Sequence, residues 1–271
     1  MLPPIVDTTW LRDHRHDVVV ADVRWSLLGP SGRDAYEGEH IADAVFIDLD
    51  TDLASIGDPR DGRHPLPPPE AFATAMGAHG IGNADQVVAY DDAGGMFAAR
   101  LVWMLRAIGH RAALLDGGLA AWDGPLEAGP GHARAAAPFT AVPWPVDRVA
   151  SLEQAGDQGA VLIDARARAR YRGDMEPVDP RPGHIPGARN VPCEEHLAGG
   201  ALLPAEKLRA QFAAAGITSA DGVIASCGSG VNACHTLLVM EHVGLGKGRL
   251  FPGSYSAWSN RADLPVATGD A

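Results

Sequence analysis

The sequence predicts an α/β protein made of two copies of one domain, each a mainly parallel sheet with helices on both faces. The 271 residues are enough for two domains of about 130 residues each. Short runs of Val, Ile, Ala and Leu alternate with segments of helical period along the whole chain. These apolar runs are continuous rather than alternating, which is typical of strands buried on both faces of a parallel sheet.

The two halves repeat the same features in the same order. The run "VVVADVRW" closes on Asp22 and Arg24, and "AVLIDARARARY" closes on Asp164 and Arg166. In the same way "QVVAYDDAGG" corresponds to "GVIASCGSGV", and "ALLDGGLAAW" to "RLFPGSYSAW". Matching segments lie roughly 140 residues apart throughout, so we interpret the chain as a duplicated domain.

Breaker-rich segments divide the chain. Residues 129–147 are rich in Pro, Ala and Gly without a clear period, so they predict a linker between a first domain at 1–128 and a second at 148–271. A further segment, "TDLASIGDPRDGRHPLPPPE" at 51–70, is too polar for a core. We expect it to be a long ordered loop, a kind of loop that often carries function.

Composition excludes several classes of protein. The net charge of −12 argues against nucleic-acid binding, which needs clustered Lys and Arg, although a small anion can still bind a locally positive pocket. No apolar run is long enough to span a membrane, and the first residues do not resemble a secretory signal. Three cysteines, Cys193, Cys227 and Cys234, are too few for a disulfide framework, so we expect a cytoplasmic protein.

The stretch "VIASCGSGVNACHTLL" predicts a strand that delivers Cys227 to the carboxyl end of a parallel sheet, where such folds place ligands. Gly228 and Gly230 allow a tight loop whose amides point inward. The helix that follows directs its positive end to the same place. These surroundings favour a thiolate, so we interpret Cys227 as a nucleophile or persulfide carrier. A buried structural cysteine is the alternative.

The loop after Cys227 narrows the chemistry. A phosphatase of the Cys-x5-Arg kind needs an arginine where this chain has Ala233, so phosphoryl transfer is disfavoured. A zinc site at Cys227, Cys234 and His235 is also disfavoured, because the spacing is unusual and no second cysteine pair exists. A cysteine protease needs a histidine base, which a single sequence does not place in space. We expect no metal and no cofactor.

The loop "CGSGVNA" resembles the active-site loop of the tandem-domain rhodaneses, in the form typical of 3-mercaptopyruvate sulfurtransferases. "RYRGDMEPVDPRPGHIPGA", "HIADAVFIDLD" and "GSYSAWSNRADLPV" resemble other segments of that family, in order and in both halves. The resemblance implies two rhodanese folds, of which only the second is catalytic. It also implies that Cys227 takes sulfur from a donor and passes it to cyanide, a thiol or reduced thioredoxin. In the first half the counterpart of Cys227 is Asp91, which has no sulfur chemistry.

The resemblance also assigns a proton relay. Ser229 matches the serine of a Ser–His–Asp relay, and the matching partners are His64 in "GRHPLP" and Asp50 in "FIDLD". Such a relay assists proton movement as the enolate of pyruvate leaves. The alternatives are an exposed loop histidine for His64 and a turn or cap residue for Asp50.

For the substrate, Arg170 matches the arginine that binds the donor's carboxylate or sulfonate, although a surface arginine is the alternative. The family's second arginine is missing. Val178 and Asp179 lie near its place, and Arg181 can substitute only if the loop folds back. The persulfide charge is assigned to backbone amides of the active loop. The residues assigned to this binding are Gly228, Gly230, Val231, Asn232 and Ala233.

Different features of the sequence favour different sulfur donors. Ser229 and the uncharged loop favour 3-mercaptopyruvate, which we predict, whereas the missing arginine favours thiosulfate or another donor. A persulfide carrier without turnover on small donors is a further alternative. Cys234 is interpreted as a packed core thiol. Its alternative is a redox partner of Cys227, which requires the two Cα atoms to lie within about 7 Å.

Overall fold

The structure, a computed structural model, describes residues 2–27 and 29–270. The chain forms two compact units. The first comprises the residues up to Ser55 together with Leu66–Trp144 and Gly199–Leu202, and the second comprises Ile56–Pro65, Pro145–Ala198 and the residues from Leu203 onward. Part of the breaker-rich loop therefore belongs to the second unit, and residues up to Trp144 belong to the first. The linker at 129–147 and the boundaries at 128 and 148 stay predictions.

The first unit is built on a five-stranded sheet in which every pair of neighbouring strands is parallel. The strand order is β1-β6-β5-β2-β4, with bounds Ile5–Val6 (β1), Val19–Asp22 (β2), Val45–Phe46 (β4), Gln86–Tyr90 (β5) and Arg111–Leu115 (β6). A separate antiparallel pair joins β3 (His40–Ile41) to β7 (Leu126–Glu127). The helices are α1 (Thr8–Asp13), α2 (Gly32–Gly38), α3 (Pro69–Ala78), α4 (Ala98–Ala107) and α5 (Gly118–Ala121).

The second unit has a four-stranded sheet, also parallel at every pairing. The order is β13-β12-β8-β9, with bounds Val161–Asp164 (β8), Arg189–Asn190 (β9), Val223–Ser226 (β12) and Arg249–Leu250 (β13). The helices are α6 (Leu152–Ala155), α7 (Arg168–Arg172), α8 (Ala205–Ala214), α9 (Asn232–His242) and α10 (Ser254–Ser259), and Pro59–Asp61 and Cys193–His196 are 3₁₀ helices. The chain also contains two short strands, β10 (Leu197–Ala198) in the second unit and β11 (Ala201–Leu202) in the first.

The continuous apolar runs are central strands, as the sequence predicts. All four residues of Val223–Ser226 are buried, because β12 has a neighbouring strand on each side and α9 packs against it. The equivalent strand of the first unit, β5, is buried from Val87 to Tyr90. In both units the central strand therefore ends inside the protein, and the residue that follows it is enclosed.

The duplication extends to individual side chains. Each unit has a buried Asp–Arg pair at the end of a strand and a tyrosine stacked on a histidine with ring centroids 3.7 Å apart. The pairs are Asp22–Arg24 with Asp164–Arg166, and Tyr36–His40 with Tyr171–His184. The two halves are therefore one domain repeated, as the segment order predicts. Among residues 2–27 and 29–270, no helix has the length and hydropathy needed to cross a membrane.

Candidate active site

Cys227 is the first residue after β12, at the carboxyl end of the parallel sheet. Its side chain is almost enclosed, with 3% of the residue exposed. Its backbone N–H donates to Ser254 Oγ at 3.1 Å, and its carbonyl accepts from the N–H of Tyr255 at 2.9 Å. The start of α10 therefore fixes the main chain of Cys227. The sulfur is free to interact with the loop that follows Cys227 in the chain.

That loop directs an amide at the sulfur. The N–H of Gly230 points to Cys227 Sγ, with 3.1 Å between nitrogen and sulfur. Gly230 has φ +78°, and a β-carbon there would lie 2.5 Å from the carbonyl oxygen of Pro252, so only glycine fits. The helix α9 begins at Asn232 without a side-chain cap, which leaves its positive end available to an anion. This arrangement stabilises negative charge on the sulfur.

The other two cysteines are buried in the protein around this loop. Cys234 Sγ donates to the carbonyl oxygen of Gly230 at 3.2 Å. Burial raises the pKa of Cys193 to about 12, with a smaller contribution from Cys227, while a hydrogen bond with the side chain of Asn232 opposes the rise. All three cysteines are described, and none of them forms a disulfide. Cys234 is thus placed as a packed thiol beneath the loop.

His64 and Ser229 are in contact. Nδ1 of His64 lies 2.9 Å from Ser229 Oγ, and only 9% of Ser229 is exposed. The loop that carries His64 is held against the same unit because the N–H of Arg63 donates to Ser256 Oγ at 3.1 Å. The geometry is that of a hydroxyl and an imidazole able to exchange a proton beside Cys227.

Asp50 belongs to the first unit and lies at an exposed position. Its Oδ2 accepts a hydrogen bond from Trp25 Nε1 at 2.8 Å, and its N–H donates to Asp48 Oδ1 at 2.9 Å. Its assignment as the acidic end of the relay stays a prediction.

Arg170 lies in α7 within a network of charged groups. Its Nη2 lies 2.7 Å from Glu176 Oε1 and 3.0 Å from Asp179 Oδ2. The other oxygen of Asp179 accepts from Nη1 of Arg63. The carboxylate of Asp179 therefore joins two guanidinium groups that come from separate parts of the sequence.

Both guanidinium groups lie over Gly228, the residue next to Cys227. A β-carbon on Gly228 would lie 2.8 Å from Nη2 of Arg63 and 3.5 Å from Nη1 of Arg170. The other terminal nitrogen of each arginine donates to a carboxylate: Nη1 of Arg63 to Asp179, and Nη2 of Arg170 to Glu176 and Asp179. Two N–H-bearing atoms thus converge beside the cysteine, a pattern suited to a carboxylate or sulfonate. Sequence reasoning missed Arg63, although its place next to His64 in the breaker-rich loop was a signal.

Arg181 is directed elsewhere. Its Nε and both terminal nitrogens donate to backbone carbonyls at distances from 2.7 to 3.0 Å. The acceptors are the carbonyl oxygens of Trp258, Ser259, Arg261 and Leu264. These bonds contradict the expectation that Arg181 binds the donor. The "EPVDPRPG" segment folds so that Asp179, rather than Arg181, faces the site, and Arg181 secures the chain after α10.

The first unit has a carboxylate where the second has a thiol. Asp91 is the first residue after β5 and is fully buried. Its Oδ1 accepts from the N–H groups of Ala93 and Gly95 at 2.8 and 2.7 Å, and its Oδ2 from those of Phe97 and Ala98 at 2.8 and 2.9 Å. In both units, therefore, at least one amide of the loop points at the residue that follows the central strand.

Comparison with known proteins agrees with this architecture. The rhodanese-like domain family matches the chain twice, at residues 7–124 and 148–261. A probable 3-mercaptopyruvate sulfurtransferase of Pseudomonas aeruginosa is 41% identical over 268 residues, which cover 94% of this chain and 93% of that protein. A putative thiosulfate sulfurtransferase, SseB of Mycobacterium tuberculosis, is 38% identical over 262 residues, covering 94% of this chain and 92% of that protein.

Among solved structures, SseA of Escherichia coli, described as a 3-mercaptopyruvate sulfotransferase with the rhodanese fold, superposes with a TM-score of 0.81. It is 33% identical, and the match covers 93% of this chain and 98% of that one. The repeated parallel sheets, the cysteine at the end of the central strand and these matches lead to one conclusion: the chain belongs to the rhodanese-like family and carries two such domains in tandem.

Proposed function

We propose that this chain is a sulfurtransferase that moves sulfane sulfur from a small anionic donor, preferably 3-mercaptopyruvate, to a thiophilic acceptor through a persulfide on Cys227. One observation carries the proposal. The sulfur of Cys227 accepts a hydrogen bond from the N–H of Gly230, and one guanidinium nitrogen each of Arg63 and Arg170 lies next to Gly228. A sulfur nucleophile and an anion site thus lie side by side. The relatives named as sulfurtransferases support the same chemistry.

The anion site orients the donor. The carboxylate of 3-mercaptopyruvate accepts hydrogen bonds from Nη2 of Arg63 and Nη1 of Arg170, which face Gly228. Guanidinium groups suit this task because they stay charged and their N–H groups match the oxygens of a carboxylate. Because Gly228 directly follows Cys227 in the chain, a donor bound there lies next to the nucleophile.

The transfer then takes place in two steps. The Cys227 thiolate attacks the donor sulfur, a new S–S bond forms, and the C–S bond breaks with its electron pair going to carbon. The enolate of pyruvate that results takes a proton, and a persulfide remains on Cys227, stabilised by the Gly230 amide and the start of α9. After the persulfide loses its proton, cyanide or a thiolate attacks the outer sulfur, and the Cys227 thiolate is restored.

The pair of Ser229 and His64 supports the preference for 3-mercaptopyruvate. The hydroxyl and the imidazole lie 2.9 Å apart and supply the proton that the enolate needs. Thiosulfate releases sulfite, a stable anion that needs no proton on leaving. A Ser–His pair beside the nucleophile is therefore useful for an α-keto donor and dispensable for thiosulfate.

A cyanide-coupled assay that offers 3-mercaptopyruvate and thiosulfate separately tests the proposal. We expect turnover with both donors and a higher kcat/KM for 3-mercaptopyruvate. Cys227→Ser abolishes turnover because the serine hydroxyl does not form a persulfide, whereas Cys234→Ser, the same change at a buried cysteine in α9, keeps most of it. A kcat/KM that favours thiosulfate tenfold would make the chain a thiosulfate sulfurtransferase instead.

The acceptor is tested in the same way. Reduced thioredoxin or a small thiol replaces cyanide, and formation of pyruvate and sulfide is followed. A persulfide carrier behaves differently: it gains the mass of one sulfur atom only from a partner protein and shows no turnover with either small donor. That result would replace the enzymatic proposal.

A further inference from the structure

A buried carboxylate lies between the two arginines of the site. Asp179 is 7% exposed. Its Oδ1 accepts from Nη1 of Arg63, and its Oδ2 accepts from Nη2 of Arg170 at 3.0 Å. The N–H of Asp179 donates to Glu176 Oε1 at 2.9 Å, which fixes the main chain behind the carboxylate. Asp179 therefore places a negative side chain of the protein within the site that is proposed to bind the anionic donor.

This carboxylate sets both the charge and the geometry beside Cys227. Arg63 and Arg170 bring two positive charges, and Asp179 offsets one of them. Asp179 also holds one terminal nitrogen of each arginine, so that the other terminal nitrogen of each faces Gly228. Glu176 adds a second buried carboxylate on Arg170, at 2.7 Å, and it is shared with Arg166 at 3.3 Å.

We propose that Asp179 is a specificity-determining residue, which keeps the positive charge of the anion site low enough to favour singly charged donors over doubly charged ones. The physical reason is that each added charge interacts with a dianion about twice as strongly as with a monoanion at the same distance, and more so where water is excluded. An α-keto carboxylate with a neutral thiol is the favoured class, and thiosulfate, a dianion, is disfavoured. This inference rests on the proposed function of the same site.

The first test is Asp179→Asn, which removes the charge and keeps the size. We expect kcat/KM for thiosulfate to rise at least tenfold relative to that for 3-mercaptopyruvate, mainly through KM. The matched control is Asp174→Asn, which makes the same charge change on an exposed residue that pairs with Arg172 at 3.1 Å. The control leaves the donor ratio unchanged.

A second variant keeps the proposal testable if Asp179→Asn fails to fold. Arg63→Gln changes the charge in the opposite direction on a side chain that is 31% exposed, so we expect the ratio of thiosulfate to 3-mercaptopyruvate turnover to fall. Donor ratios within threefold of the wild-type ratio in both variants, with unchanged melting temperatures, would overturn the proposal.

Equilibrium binding separates this inference from the proposed function. Calorimetry with sulfate and pyruvate measures the preference for charge without any turnover. We expect Asp179→Asn to bind sulfate at least tenfold more tightly relative to pyruvate than the wild type does. Turnover that is absent with both donors overturns the proposed function, whereas an unaltered sulfate-to-pyruvate ratio overturns the role of Asp179.

Discussion

The two units place different side chains at the same point of the same fold. Asp91 and Cys227 each follow a central strand, and the side chain of each accepts a hydrogen bond from the loop that comes next. In neither of the helices that follow does the N-cap residue itself supply a side-chain cap. In the first unit four N–H groups hold the carboxylate of Asp91, whereas in the second the Gly230 amide faces a sulfur.

The loop that holds an anion is therefore a property of the fold, while sulfur chemistry depends on the residue at its centre. A carboxylate satisfies the amides permanently and makes the loop a stabilising element. With a cysteine at this point, the loop amides are available to a negative charge that forms and disappears on sulfur during turnover. From the sequence, Asp91 is the counterpart of Cys227 without its sulfur chemistry. The structure adds that its carboxylate is itself the anion that the loop binds.

The largest effect is expected for Cys227→Asp, which gives the second unit the side chain of the first. We expect sulfur transfer to fall by at least about 10⁴-fold, as for loss of other nucleophiles. The melting temperature should stay at or above that of the wild type, because the new carboxylate accepts amide hydrogen bonds. A cyanide-coupled assay and a thermal scan measure both effects, and a strong loss of stability would contradict the equivalence of the two loops.

Next in size is Gly230→Ala. The positive φ and the Pro252 carbonyl 2.5 Å from the new β-carbon force the loop to move, so we expect about a hundredfold loss of kcat and a stability cost of about 1–3 kcal/mol. The matched control is Gly95→Ala in the first unit, at φ +86° with Leu114 2.7 Å from the new β-carbon. It should lower stability alone, and an equal loss of kcat in the control would show that the loops do not differ in function.

Ser229→Ala sharpens what the second unit adds to its cysteine. Loss of the hydroxyl that contacts His64 should lower kcat for 3-mercaptopyruvate by about 10- to 100-fold, the usual range for one proton-transfer group. The rate with thiosulfate serves as the internal control and should change by less than about threefold, since sulfite leaves without a proton. Equal losses with both donors would assign Ser229 to binding rather than to proton transfer.

Asp91→Asn tests the first loop as a stabilising element. An amide group cannot accept all four N–H groups, so we expect the first unit to lose about 2 kcal/mol of stability, consistent with hydrogen bonds to a charged acceptor. Urea unfolding measures the loss. The value of kcat with 3-mercaptopyruvate should stay within about twofold of the wild-type value at low temperature. A selective fall in kcat without loss of stability would contradict a purely structural role.

Acid should destabilise the second unit gradually, without any substitution. Burial, with a contribution from His235, lowers the pKa of His196 from 6.5 to about 3. Between these values the unfolded chain binds a proton that the folded chain does not, so stability falls as the pH drops from 6.5 towards 3. The slope is up to about 1.4 kcal/mol per pH unit. Urea unfolding at several pH values measures it.

The matched variants for this prediction are His196→Leu, which lowers the slope, and His16→Gln, at an exposed position of the first unit, which leaves it unchanged. Burial also lowers the pKa of His184, so part of the slope remains in His196→Leu. We therefore expect the second unit to lose its structure at a higher pH than the His196→Leu protein does. An unchanged slope in His196→Leu would mean that another group titrates on unfolding.

Much of the site could be predicted because it is encoded locally. The continuous apolar run before Cys227 identified the buried strand, and the glycines after it identified a tight loop, since both signals lie within a few neighbouring residues. The resemblance to a known family added His64 and Ser229, and their side chains do meet at 2.9 Å. The place of Asp50 in the relay stays a prediction.

The charged half of the site could not be predicted in this way. The choice between Arg63 and Arg181 depends on how the loop at 56–65 and the "EPVDPRPG" segment fold, and nothing within either segment states which arginine faces the cysteine. Arg181 finds four carbonyl acceptors after α10, a set visible only in three dimensions. Arg63 reaches the site through its contacts with Asp179 and Ser256.

Local sequence patterns are therefore enough to predict a duplicated parallel α/β protein with one thiol at the end of a central strand. Periodicity, glycine spacing and the order of repeated segments can be recognised in the sequence without knowledge of the fold. The tertiary structure alone decided which charges surround that thiol. Arg63 and Asp179 are 116 positions apart in the chain, and such a contact is fixed by the packing of the unit rather than by any local pattern.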